Sequence, residues 1–208
     1  MRQRTSSYAG RRYMSVLPSL RSSHIIVVGS STGGTEALRV FLAMMPKDSP
    51  PILIAQHMPE MFVPSFVARL DGVCAMKVKV AEQSEAILRG HVYLSPGYSH
   101  IALERHGASY HIALSDAPPV NHHRPSVEVL FKSAAKALEG HAIGVMLTGM
   151  GKDGAAAMLE MKQAGAYNFA QDEASSVVFG MPRAAIEMGA VDEVVALKRM
   201  AECVLRHC

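Results

Sequence analysis

Ser31 is the residue of this 208-residue chain best placed for nucleophilic chemistry. It stands at the centre of Gly29-Ser-Ser-Thr-Gly33, a G-x-S-x-G motif between β-favouring aliphatics at 25–28 and the helix-forming Thr35-Glu-Ala-Leu38. In a nucleophile elbow, small flanking residues let a sharply turned serine project clear of the sheet edge, where it can attack an acyl carbon. Two ligand-binding readings of the same turn fit less well. A dinucleotide fingerprint needs glycine where Ser31 stands, and an acid near the end of a second strand that runs instead into His57. A phosphate loop has its spacing in Gly29 and Gly34, but its lysine is missing. The rival function is therefore a non-catalytic module binding a nucleotide or phosphate at residues Gly29 to Thr35. A purely structural turn is the plainest alternative.

A serine nucleophile needs a base, and the base needs an orienting group. Of the ten histidines, His57 alone directly follows a strand of the buried parallel type, residues 51–56. Ser31 leaves the first strand at the same edge, so adjacent parallel strands would bring the two within hydrogen-bond reach. The alternative for His57 is a strand cap bonded to backbone. Asp153 leaves the strand at 142–147 through Thr148-Gly-Met-Gly-Lys-Asp-Gly154, again at that edge. Its carboxylate could hold the far nitrogen of His57 and stabilise an imidazolium. As a cap or first-turn acid of the next helix it would instead be worth ~1 kcal/mol. The order Ser…His…Asp is not that of the α/β-hydrolases, Ser…Asp…His.

An oxyanion formed at such a site needs backbone N–H donors, each worth roughly 10²–10³ in rate. The candidates are Thr32, at the helix start, and Met150, in the glycine-rich turn. His122 and His123 are adjacent, so their side chains diverge and a metal would need further ligands; no metal or cofactor is expected. His100, His106 and His111 are expected at the surface of hairpins. The fourteen methionines read as core filler, and Asp172-Glu173 as solvated loop acids or acids near the site edge.

The elements that must position these groups alternate strand and helix from His24 onward. Helices are expected at 35–45, 63–70, 125–138 and 155–163, after Pro182 and from Leu197; strands are expected at 76–80 and 167–170 besides those already named. Residues 91–94, 101–104 and 110–114, with the Ser95-Pro-Gly97 turn, suggest a small antiparallel excursion. The fold expected is α/β: three-layer, doubly wound, with a mainly parallel sheet.

Composition narrows the function classes. Half the residues are apolar and 19% are charged, which provides a sizeable core and excludes general disorder. No apolar run approaches the ~18 residues of a membrane span. Residues 1–23 hold five arginines and no acid, and read as a flexible leader or linker, with an organellar transit peptide as the alternative. Subtracting those five from the formal charge of +3 leaves −2 for the rest, 24–208, so nucleic acid is not an expected partner. Three scattered cysteines without a C-x-x-C suggest a reduced, cytoplasmic setting.

Seven blocks now stand in order: Gly29-Ser-Ser-Thr-Gly-Gly-Thr-Glu-Ala37, Gln56-His-Met-Pro59, Ser95-Pro-Gly97, Pro118-Pro-Val-Asn121, His123-Arg-Pro-Ser-Val127, Leu147-Thr-Gly-Met-Gly-Lys-Asp-Gly154 and Val178-Phe-Gly-Met-Pro-Arg183. Together, over 24–197, they resemble the catalytic domain of the bacterial chemotaxis protein-glutamate methylesterases (the CheB family). The resemblance implies hydrolysis of γ-glutamyl methyl esters on methyl-accepting chemotaxis receptors, and deamidation of particular receptor glutamines. By motif match the family's catalytic serine, histidine and aspartate fall on Ser31, His57 and Asp153. The chain departs from the family's usual Ala at Ser30, Asn at Lys152 and Arg at His122. Ser30 leaves open which hydroxyl reacts. The family also carries a phospho-accepting receiver domain, for which 23 residues have no room. The expected partners are therefore the cytoplasmic domains of the receptors and a receiver domain outside this chain.

Overall fold

Ile25 to Ser30, β1, is buried along its whole length because helices cover both faces of the sheet that it centres. A computed structural model describes residues 24–208; the leader reading of residues 1–23 lies outside the described residues. In order, the elements are β1 (Ile25–Ser30), α1 (Gly34–Ala43), β2 (Ile52–Gln56), α2 (Val63–Asp71), β3 (Lys77–Val80), β4 (His91–Leu94), β5 (His100–His106), β6 (Ser109–Ser115) and α3 (Val127–Leu138). There follow β7 (Ala142–Met146), α4 (Ala155–Gln163), β8 (Tyr167–Gln171), α5 (Met181–Glu187), β9 (Glu193–Val195) and α6 (Leu197–Arg206).

Seven strands form a parallel sheet in the order β3-β4-β2-β1-β7-β8-β9, and β5 pairs with β6 in a separate antiparallel hairpin. Successive residues of β1 feed opposite layers. Ile26 and Val28 pack with α1, α2 and α6, whereas Ile25 and Val27 pack with α3, α4, α5 and the hairpin. The expected three-layer α/β architecture is therefore the observed one. Among the described residues no helix is long and apolar enough to cross a membrane.

Two strand assignments change. Residues 91–94 leave the expected antiparallel excursion and become β4, inside the parallel sheet between β3 and β2. The cause is burial on both faces: Val92 and Leu94 enter one core layer and Tyr93 the other. β9 went unanticipated, because three residues are too few to show a period.

The strand order places the site. The chain runs from β1 to β2 on one side, while β7 pairs with β1 on the other, so the order reverses at β1. Ser30 is in register with Gln56, and Gly29 with Met146. The turns that leave β1, β2 and β7 therefore open at one C-terminal rim, where a doubly wound sheet has its crevice.

Val127 locks that rim from behind. A Cβ at Gly29 would overlap Val127 Cγ1, and so would one at Gly154, so the first residue of α3 fits against two glycines. Gly29→Ala is expected to cost about 1–3 kcal/mol in urea unfolding, the usual range for overpacking. Adding Val127→Ala should recover part of that loss; strictly additive losses would contradict the fit.

Candidate active site

Ser31 is held by backbone on both sides. Its N–H donates to Thr148 O at 3.0 Å, and its carbonyl accepts from Gly34 N–H at 2.8 Å. Gly33 takes a left-handed φ of +80°, and a side chain there would overlap Val177, so the turn requires glycine. Gly149 admits no Cβ either, since one would strike Met181 Sδ and approach Ser31 Cβ.

Gln56, which sequence reasoning passed over, joins the turns after β1 and β2. Its Nε2 donates to Ser31 O at 3.1 Å and to His57 O at 2.9 Å, while its Oε1 accepts from Ser30 Oγ at 2.6 Å. Ser30 is thereby buried, with its hydroxyl committed to Gln56. Gln171 repeats the device at the end of β8, where its Oε1 accepts from Thr148 N–H at 2.8 Å.

The three groups nominated from strand ends meet. Ser31 Oγ lies 3.1 Å from His57 Nδ1, and His57 Nε2 lies 2.9 Å from Asp153 Oδ2. The imidazole is inverted relative to the chymotrypsin arrangement, in which Nε2 faces the serine. A carboxylate only accepts, so Asp153 fixes the proton on Nε2 and leaves the Nδ1 lone pair facing the hydroxyl.

Asp153 is 2% exposed and receives four hydrogen bonds. Besides His57, they come from Asn121 Nδ2 at 2.8 Å, Ser126 Oγ at 2.8 Å and the Val127 amide at 2.6 Å. The cap of α4 is Gly154, so Asp153 does not cap its own helix; it sits instead at the N-terminus of α3, where free N–H groups and the helix dipole favour an anion. Burial pushes its carboxyl upward, but the bonds from His57, Asn121, Ser126 and Val127 together outweigh burial and hold it below its ordinary range.

Two further histidines depart from what the sequence suggests. His100 is not a surface residue: it is 1% exposed, accepts from Ser126 N–H at Nδ1 (3.2 Å), and has Nε2 3.2 Å from Pro118 O. Its side chain turns inward at the start of β5 because Ser126 and the loop at 118 close over it. His123 lies flat on His57, with ring centroids 3.7 Å apart and planes 12° apart. Nothing in a single sequence signals a contact between positions so far apart.

Both oxyanion candidates lie in turns around the serine. Among the described residues neither the Thr32 nor the Met150 N–H has an acceptor, and the Met150 side chain is exposed. By contrast Ser31 and Gly34 spend their amides on the Thr148 and Ser31 carbonyls. Asp172 accepts from Ser175, and Glu173 is exposed. No metal-ligating cluster occurs among the described residues. Beside Ser31 and His57 a cleft of about 420 Å³ opens, walled by Met58, Phe62, Phe66 and Arg69.

The lowered Asp153 pKa fixes the sign of a pH effect. Its stabilisation is complete above the ordinary carboxylate range, near pH ~4, and is lost as pH falls through the folded-state value. The stability gap between the parent and Asp153→Asn should therefore be constant above about pH 5 and shrink steadily below about pH 4 in urea titrations. A gap independent of pH would contradict it.

With this geometry in hand, comparison with known proteins is direct. The family model described as CheB methylesterase matches residues 26–204. The protein-glutamate methylesterase/protein-glutamine glutaminase 1 of Burkholderia pseudomallei is 57% identical over 188 residues, covering 90% of this chain and 51% of that protein. The Geobacter metallireducens protein with that description is 60% identical over 176 residues, 85% of this chain and 48% of the relative. The chain spans about half the length of the curated relatives it matches. The crystal structure of the Thermotoga maritima CheB methylesterase catalytic domain is similar at a TM-score of 0.88 and 36% identity, covering 90% of this chain and all of that one. A match from 26 to 204, relatives above half identity and a superposable solved domain agree: the chain belongs to the CheB methylesterase family.

Proposed function

We propose that this chain is a serine hydrolase that removes methyl groups from glutamate γ-methyl esters of chemotaxis receptors. The observation that carries the reading is the Ser31–His57–Asp153 line at the C-terminal rim, with contacts of 3.1 and 2.9 Å. The names of its relatives, protein-glutamate methylesterase/protein-glutamine glutaminase, supply the substrate class.

The reaction has two acyl-transfer steps. His57 Nδ1 takes the proton of Ser31 Oγ as the oxygen attacks the ester carbonyl, and Asp153 holds the imidazolium through Nε2–H. The same nitrogen returns the proton to departing methanol. Water, deprotonated by His57, then releases the glutamate carboxylate from the acyl-serine. The free amides of Thr32 and Met150 are the proposed oxyanion donors. With a receptor glutamine, ammonia replaces methanol as leaving group and the residues keep their roles.

The proposed partners are the cytoplasmic domains of methyl-accepting receptors, with a receiver domain as regulator, and the proposed setting is the cytoplasm. Three free cysteines suit a reducing compartment.

Methanol release from methylated receptor membranes tests the proposal. Ser31→Ala is expected to lower kcat about 10⁴-fold or more while keeping its fold by circular dichroism. A fluorophosphonate should label Ser31 in the parent and fail to label His57→Ala. Parental turnover by Ser31→Ala would end the proposal.

A further inference from the structure

One short turn touches two members of the catalytic line. Val120 and His123 exchange both backbone hydrogen bonds, at 3.0 and 2.9 Å, and the two residues between them take positive φ, 51° at Asn121 and 68° at His122. This is a two-residue hairpin with primed-turn backbone. Asparagine adopts that conformation readily; histidine does so less often, and such backbone persists only where the surroundings hold it. Arg124 ties the base of the turn by donating to Asp116 O and Ala117 O at 2.9 and 3.3 Å. From this strap Asn121 reaches Asp153 Oδ1, and His123 lies parallel on His57.

We infer that His123 is a positioning residue: laid flat on His57 at 3.7 Å, it holds the imidazole in the plane that joins Ser31 Oγ to Asp153 Oδ2. The inference rests on the ester-hydrolysis reading. Hydrogen bonds at the two ring nitrogens fix the ends of His57 but leave the ring free to tilt about the line between them. Once Ser31 is acylated its hydroxyl proton is gone, and Asp153 alone would anchor the ring. A stacked partner removes the tilt in both states. His123 does this as a neutral ring: burial first and then His57 hold its imidazole below the ordinary range, against an opposing pull from Asp153 and with a further push from His122. A neutral face against His57 lets the imidazolium form beside it without a second positive charge.

His123→Ala and His123→Phe separate stacking from the ring nitrogens. In methanol release from methylated receptor membranes, His123→Ala is expected to lose kcat about 10- to 100-fold, the cost of a slightly misplaced catalytic group, with KM held within about threefold. His123→Phe keeps the flat ring and should stay within about threefold of parental kcat. Both should melt within about 4 °C of the parent. Parental kcat in His123→Ala overturns the inference, and so does equal loss in both variants. If His123→Ala fails to fold, His123→Phe decides alone: near-parental kcat supports the stack and a large loss overturns it. A parent chain without turnover would instead strike at the esterase reading itself.

Discussion

A buried carboxylate governs this structure. Asp153 is 2% exposed, and an unpaired charge at that depth would be expelled or protonated. It stays ionised because four donors converge on it, each from a different place: the imidazole of His57, the amide of Asn121, the hydroxyl of Ser126 and the first N–H of α3. Satisfying one charge therefore fixes the relation of α3, the 120–123 turn and the loop after β2. The order needed to bury Asp153 is the same order that aims His57 at Ser31.

Parallel pairing supplies the rest of the precision. The C-terminal ends of β1, β2 and β7 are level because their registers are set by residues buried on both faces, where a slip of one position would turn every side chain to the wrong layer. Two buried glutamines finish what the registers begin. Gln56 spans the turns of Ser31 and His57, and Gln171 pins the amide of Thr148, whose carbonyl in turn receives Ser31 N–H. The elbow is thus suspended between neighbouring strand ends as well as held by the first N–H of its own helix.

Much of this was legible in the sequence. Ser31, His57 and Asp153 each follow an apolar run, and strand-then-turn is a local pattern that places a residue at one edge before any coordinate is known. The fold class followed from the same alternation. What escaped is non-local or too short. His123 reads as half of an unremarkable pair, and its stacking on His57 depends on a turn whose two positive φ values no glycine announces. His100 reads as hairpin surface because burial by a loop eighteen or more residues away leaves no period. Gln56 seemed the last polar residue of a strand, though a polar side chain directly after four buried residues was the one available sign. β4 was drawn into the hairpin region because Ser95-Pro-Gly97 resembles a tight turn, whereas the chain there crosses into the other sheet.

The orientation of the His57 ring tests the central claim most directly. Nitrogen-15 NMR of the labelled protein near neutral pH should show the proton on Nε2, facing Asp153, with Nδ1 bare toward Ser31, and Asp153→Asn should disturb that tautomer. A proton resident on Nδ1 in the parent would contradict the account, because the nitrogen that must accept from the serine would already be occupied.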